Sequence, residues 1–142
     1  MPTSHATAVW ERGLRQGSGT YRARSGAFTG SYSFPTRFEG TAGSTPEELI
    51  AAASASCFSM ALSAGLEKAG TPPVRIETAA ACTLDTVEGV PTVTTIALSV
   101  RGTVPGVDEA AFRRAADDAK DNCPVSRALK GNVRFTLDAR LL

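Results

Sequence analysis

One stretch decides the fold: residues 45–69 read TPEELIAAASASCFSMALSAGLEKA. Thr45 is a good N-cap, Pro46 suits the first helical position, and Glu48 completes a Thr-x-x-Glu capping box. The residues that follow are mostly Ala, Leu, Met and Ser, until Gly70 and two prolines end the run. About 24 residues predict a helix roughly 36 Å long. Because this helix is apolar or small-sided nearly all round, we expect it to be buried at the centre of the fold.

Alternating apolar residues predict β structure on both sides of this helix. Upstream, we expect strands at residues 8–10 and 20–24 and a longer extended stretch at 28–38. Downstream, we expect a hairpin with strands at 74–84 and 93–100, a helix at 108–121, a short helix at 124–129 and a last strand at 133–141. Asp108 is expected to cap the first of these helices, whose inner stripe is expected to carry Phe112, Ala115, Ala116 and Ala119. The order predicts one α+β domain over residues 1–142, with antiparallel sheets packed around the long helix and a second helix.

Composition limits the classes of function. The chain has 142 residues, of which 42% are hydrophobic, and Lys plus Arg number 15 against 14 for Asp plus Glu. No basic stretch stands out, so we expect neither nucleic acid nor a membrane as a partner. Residues 1–16 lack the apolar stretch of a signal peptide, and no 18 consecutive residues are apolar. We therefore expect a cytoplasmic protein.

The three cysteines are the residues best suited to chemistry. Their odd number, in a chain with no export signal, argues against a disulfide framework. The chain has no C-x-x-C pair and its lone histidine is His5, which argues against a metal or other cofactor. Cys57 lies mid-helix, where a packed, inert thiol is expected unless a cation is brought to it. Cys123 precedes Pro124 at the start of the short helix, where free N–H groups favour a thiolate. Cys82 alternates with apolar residues and is expected in the core.

Three motifs, in this order along the chain, resemble the OsmC/Ohr family of osmotically inducible and organic-hydroperoxide-resistance proteins. They are TRFEG at 36–40, PEELIAAASASCFSMAL at 46–62 and CPVS at 123–126. The first is similar to the OsmC branch, and the resemblance covers essentially the whole chain. It implies a thiol peroxidase acting on organic hydroperoxides and, less efficiently, on hydrogen peroxide. It also implies an intertwined homodimer with active sites at the subunit interface, and an external dithiol or lipoyl-type reductant.

The resemblance assigns roles to four residues. It implies that Cys57 is the peroxidatic cysteine, Cys123 the resolving cysteine, Arg37 the activating arginine and Glu47 its carboxylate partner. Arg37 would hold Cys57 as the thiolate, and Cys123 would close a disulfide with the sulfenic acid that forms. Glu47 and Cys57 are about 15 Å apart along one straight helix. Either the helix is broken near residues 49–53, or the side chains come from two subunits, which is the hypothesis we favour.

Details of the sequence bear on the substrate and on alternatives. Thr45 stands where the family commonly has Asn, which keeps the cap. Four apolar residues, Phe28, Phe34, Phe58 and Met60, suggest a bulky organic peroxide. One alternative is a non-catalytic relative that binds an apolar ligand at the dimer interface, with the cysteines as core residues. Another is a thiol–disulfide exchanger, although that chemistry favours closely spaced cysteines.

Overall fold

The structure is a computed structural model that describes residues 1–142. Its backbone contacts divide the chain into two compact units, residues 1–49 and residues 50–142. The ten elements follow the order β-β-β-α-α-β-β-α-α-β. The predicted α+β class is confirmed, with one additional short helix in the first unit.

The first unit contains an antiparallel sheet in the order β1-β2-β3. Its strands are β1 (Ala6–Glu11), β2 (Ser18–Ala23) and β3 (Thr29–Ser33). Gly19 of β2 lies opposite Trp10 on one side and Tyr32 on the other. A Cβ at Gly19 would lie 2.6 Å from the Tyr32 ring and 2.7 Å from the Trp10 ring. Glycine at this position therefore lets the two rings approach to 5.4 Å between centroids.

A short helix, α1 (Phe34–Phe38), follows β3 directly. The prediction of an extended stretch over residues 28–38 was therefore wrong for its last five residues. The reason is a capping box formed by Ser33 and Thr36. The Ser33 N–H donates to Thr36 Oγ1 at 2.9 Å, and the Thr36 N–H donates to Ser33 Oγ at 3.3 Å. With Pro35 in the first turn, these bonds stop the strand and start a helix.

The long helix α2 (Pro46–Lys68) is continuous over 23 residues. The Glu48 N–H donates to Thr45 Oγ1 at 3.0 Å, which confirms the predicted cap. Gly70, at φ +84°, ends the helix as predicted. The alternative in which the helix breaks near residues 49–53 was wrong.

Burial along α2 is confined to one stripe within the single chain. The stripe consists of Glu47, Ser54, Phe58, Leu62 and Leu66. On the opposite side Met60 keeps 75% of its surface exposed. Length and composition alone would let α2 span a membrane, although core helices of soluble proteins share both features. We expected this apolar helix to be buried all round. Within the single chain, only one side of it is covered.

The second unit contains a mixed sheet in the order β4-β5-β6. Strands β4 (Arg75–Val87) and β5 (Val90–Thr103) form the predicted antiparallel hairpin. Strand β6 (Arg134–Leu141) pairs with β5 in parallel. The sheet is therefore not antiparallel throughout, because the chain crosses over between β5 and β6 instead of turning back in a hairpin.

Two helices form that crossover, α3 (Glu109–Asn122) and α4 (Pro124–Leu129). The Ala111 N–H donates to Asp108 Oδ1 at 2.7 Å, which confirms the predicted cap of α3. The predicted inner stripe of α3 is confirmed too, because Phe112 is completely buried. The core of the second unit joins this stripe to α2 and the sheet; its buried members are Phe58, Leu62, Leu66, Ile96, Leu98, Val100, Val104, Phe112, Ala116, Ala119 and Ala139.

Candidate active site

Arg37 and Glu47 form a charged pair in the first unit. The Arg37 Nε and Nη2 atoms donate to Glu47 Oε1 at 3.1 and 2.7 Å. Glu47 lies in the first turn of α2 and is 6% exposed, whereas the Arg37 side chain, at the end of α1, is 35% exposed. The carboxylate thus fixes one edge of the guanidinium, which has five N–H donors in all. The remaining donors can serve another anion.

An aromatic cavity of about 250 Å³ lies beside this pair within the first unit. Its lining residues are Trp10, Leu14, Tyr32, Ser33, Phe34, Arg37 and Phe38. A pocket with apolar walls and one cationic group suits an apolar molecule that carries a polar end.

The four apolar residues expected near the substrate have different surroundings. Phe34 lines the cavity that contains Arg37. Phe28 lines other cavities of the first unit, near His5. Phe58 is completely buried in the core of the second unit, and Met60 lies on the open side of α2. Of these four residues, Phe34 is therefore the one that lines the cavity beside Arg37.

Cys57 and Cys123 are brought together in the second unit, although 66 positions separate them in the sequence. Neither is in a disulfide, and Cys57 is half-buried while Cys123 is 1% exposed. Burial raises the pKa of the Cys57 thiol above its ordinary value. The backbone N–H of Val125 lowers this pKa, and Cys123 raises it as a hydrogen-bond partner and as a like charge. The net direction is upward, so a reactive Cys57 thiolate requires a cation.

The sulfur of Cys123 is held at the start of α4. Cys123 is the N-cap of this helix, as predicted, and the Ser126 N–H donates to its Sγ at 3.5 Å. The Ser126 hydroxyl lies 3.0 Å from the same sulfur. No role was predicted for Ser126. Its signal was the Cys-x-x-Ser spacing, which matches the N-cap and N3 positions of a capping box.

The third cysteine, Cys82, and the histidine, His5, lie on β4 and near the start of the chain respectively. Cys82 lies on β4 opposite Ile96 of β5 and packs against the hydrophobic core, as expected. His5 is exposed near the start of the chain. No group of three His, Cys, Asp or Glu side chains is close enough to hold a metal ion.

Comparison with known proteins decides the family. A family model described as OsmC-like protein matches residues 38–138, which is more than half of the chain. The chain belongs to the OsmC-like family. This OsmC-like protein is 46% identical over 135 residues to peroxiredoxin OsmC of Escherichia coli strain K12, with 94% of this chain and 93% of the relative covered.

More distant relatives and solved structures agree. The OsmC-like chain is 31% identical over 140 residues to the organic hydroperoxide resistance protein of Xanthomonas axonopodis pv. citri, with 95% and 92% of the two chains covered. The crystal structure of an organic hydroperoxide resistance protein from Elizabethkingia anophelis matches with a TM-score of 0.80 at 24% identity, covering 100% of this chain and 98% of that one. The predicted fold and family are confirmed. The roles of Cys57, Cys123, Arg37 and Glu47 stay predictions.

Proposed function

We propose that this OsmC-like protein is a thiol-dependent peroxidase that reduces organic hydroperoxides, and hydrogen peroxide less efficiently, in defence against oxidative stress. The observation that carries the proposal is the contact between Cys57 and Cys123, two cysteines far apart in sequence. The names of the relatives, a peroxiredoxin and an organic hydroperoxide resistance protein, support peroxide-related redox chemistry.

In the proposed reaction, Cys57 attacks first. Its thiolate sulfur attacks the distal peroxide oxygen and forms an S–O bond to it, the O–O bond breaks, and the alkoxide leaves as the alcohol after taking up a proton. Cys57 is then a sulfenic acid. The Cys123 sulfur attacks the Cys57 sulfur, the S–O bond breaks, and hydroxide leaves as water once it has taken up a proton. An external dithiol, of the lipoyl type by family resemblance, reduces the disulfide by thiol–disulfide exchange.

Arg37 supplies the cation in this proposal, and Glu47 orients it. Because burial raises the pKa of Cys57, a permanently charged guanidinium is the group best suited to hold its thiolate. Since α2 is continuous, about 15 Å of helix separates the levels of Glu47 and Cys57. We therefore propose that the Arg37–Glu47 pair of one subunit serves the cysteines of another. The exposed apolar side of α2 supports such a homodimer. The proposal keeps one domain per subunit and a cytoplasmic location, as expected from the sequence.

The aromatic cavity beside Arg37 favours a second candidate function, the binding of an apolar ligand without chemistry. Such a protein would bind the ligand through the cavity walls and the guanidinium. It would have no use for Cys57 and Cys123 in contact. The two functions therefore differ in what happens when these cysteines are replaced.

Peroxide consumption in the presence of a dithiol tests the proposal. Three single variants are compared with the unaltered protein: Cys57→Ser, Cys123→Ser and, as a matched control for loss of a thiol, Cys82→Ser. Cys57→Ser abolishes turnover, Cys123→Ser consumes one peroxide per site in the absence of reductant, and Cys82→Ser keeps full activity. Full activity in both Cys57→Ser and Cys123→Ser would refute the mechanism. Binding of an apolar ligand by a chain that never consumes peroxide would favour the second function.

A further inference from the structure

The sulfur of Cys123 has a buried side-chain partner that the proposed mechanism does not use. Ser126 is 5% exposed and Cys123 is 1% exposed. Their Oγ and Sγ atoms are 3.0 Å apart, and the Ser126 N–H points at the same sulfur from 3.5 Å. Ser126 therefore offers the sulfur a hydroxyl and an amide from a largely buried residue.

We propose that Ser126 is a positioning residue for the disulfide-forming step, in which it holds the Cys123 sulfur and stabilises the negative charge that develops on it. The inference rests on the proposed function, because it assigns Cys123 the resolving role. It adds a residue whose effect is confined to one of the two chemical steps.

The chemistry of the step explains why a hydroxyl is needed. Before attack, Cys123 must lose its thiol proton so that a sulfur lone pair can form the bond to Cys57. A thiolate with 1% exposure has almost no water to solvate it, and unsolvated charge is costly. In the resting state, a serine hydroxyl can accept a hydrogen bond from the thiol S–H. After deprotonation it can donate its own O–H to the thiolate, with no movement of heavy atoms. The proton removed from Cys123 is balanced by the one that the departing hydroxide takes up.

Solvent reaches the other side of Ser126 through a cleft of about 360 Å³. Its titratable lining groups are Lys120 and Asp121 of α3 and Lys130 after α4. The Lys120 ammonium lies 3.5 Å from Asp121, which offsets its charge. On the α2 side, Cys57 is the titratable group next to Cys123. The cleft gives the released proton a route to solvent past the Ser126 hydroxyl.

Single-turnover kinetics separate the two steps. The whole protein is mixed with one equivalent of an organic hydroperoxide. The sulfenic acid is trapped with a dimedone probe. In parallel, the Cys57–Cys123 disulfide is quantified by mass spectrometry after acid quenching. In Ser126→Ala, Cys57 oxidises at the normal rate, but the disulfide forms about tenfold more slowly, since a hydrogen bond to a charged group is lost. The rate of disulfide formation also rises with pH at a higher midpoint than in the unaltered protein. Ser59→Ala is the matched control, because it removes a hydroxyl bonded at 2.8 Å to Thr78 in the same unit.

A second pair of variants separates the hydroxyl from the space it fills. Ser126→Thr and Ser126→Val have nearly the same shape and differ in the hydroxyl, so Thr restores the rate of disulfide formation and Val does not. Equal rates in Thr and Val, or an unaltered pH profile in Ser126→Ala, would overturn the inference while leaving the peroxidase proposal standing. If the unaltered protein forms no Cys57–Cys123 disulfide, the proposed function itself fails, and the role of Ser126 fails with it.

Discussion

Replacing Arg37 or Glu47 one at a time tests how the charged pair is held. In Arg37→Gln, the Glu47 carboxylate stays in a site where it is 6% exposed and loses both donors on its Oε1 atom. In Glu47→Gln, an amide oxygen remains to accept from Arg37, and the guanidinium, with 35% of its side chain exposed, can turn to water. We therefore expect the arginine substitution to destabilise the protein more than the glutamate substitution does.

The distance and burial set the magnitude. At 2.7 Å the Coulomb attraction is about 1.5 kcal/mol in a water-like dielectric and about 6 kcal/mol at an effective dielectric of about 20. Partial exposure of Arg37 moves the value toward the lower limit, and the desolvation of Glu47 reduces it further. We expect a coupling of about 2 kcal/mol, a loss of about 2–3 kcal/mol in Arg37→Gln and a loss of about 1 kcal/mol in Glu47→Gln.

Urea denaturation at a fixed protein concentration measures these free energies of unfolding, with Arg37→Gln and Glu47→Gln combined in a double-mutant cycle. Arg75 and Glu77 provide a matched control, because they form an ion pair of similar length, 2.8 Å, with both side chains about two-thirds exposed. Their cycle should give no measurable coupling. The reasoning is refuted if the coupling of the Arg37–Glu47 pair is no larger than that of the exposed pair, or if Glu47→Gln costs more than Arg37→Gln.

Three further outcomes are expected. Gly102→Ala places a Cβ 2.5 Å from Phe112 Cε2 and should lower the free energy of unfolding by about 2–3 kcal/mol; Phe112→Leu should recover part of that loss in the double variant, measured by urea denaturation. Cys123→Ala removes a group that raises the pKa of Cys57, so alkylation of Cys57 by iodoacetamide should reach its half-maximal rate at a lower pH. Alkylation is followed by peptide mass, and an unchanged or higher midpoint contradicts the expectation. Asp108→Ala removes the cap of α3 and should cost about 1 kcal/mol in thermal or urea unfolding, whereas no loss would show that the cap is dispensable.

Local signals in the sequence predicted most elements of the fold. Helix α2 was found because a cap, a long apolar run and a terminating Gly70 agree with one another. The face of α3 that carries Phe112 followed from its periodicity. The short helix α1 was missed, because Ser33 and Thr36 form a capping box inside what reads as an extended stretch. The parallel pairing of β6 was missed, because alternation along a strand is the same for parallel and antiparallel neighbours, although the two helices predicted between β5 and β6 allow a crossover.

The candidate site was predicted in parts. Cys123 was singled out by its place before Pro124. Cys57 was expected to be inert unless a cation is brought to it, because a mid-helix position says nothing about what packs beside it. The contact between the two depends on the crossover between β5 and β6, which only the folded chain reveals. The partnership of Arg37 with Glu47 came from family resemblance, and the structure adds that two guanidinium donors share one carboxylate oxygen.

The parallel pairing of β5 with β6 sets the order in which the chain can assemble. The β4–β5 hairpin closes locally, but β6 can join only after the whole crossover has been made, and non-local pairing of this kind is slow. Cys123 lies in that crossover, so a nascent or partly unfolded chain carries Cys57 without its partner. If Cys57 reacts as proposed, peroxide that meets such a chain would drive its sulfur past sulfenic acid to sulfinic acid, which a dithiol does not reverse. On the proposed mechanism, completion of the C-terminal strand would then be what makes oxidation of this protein reversible.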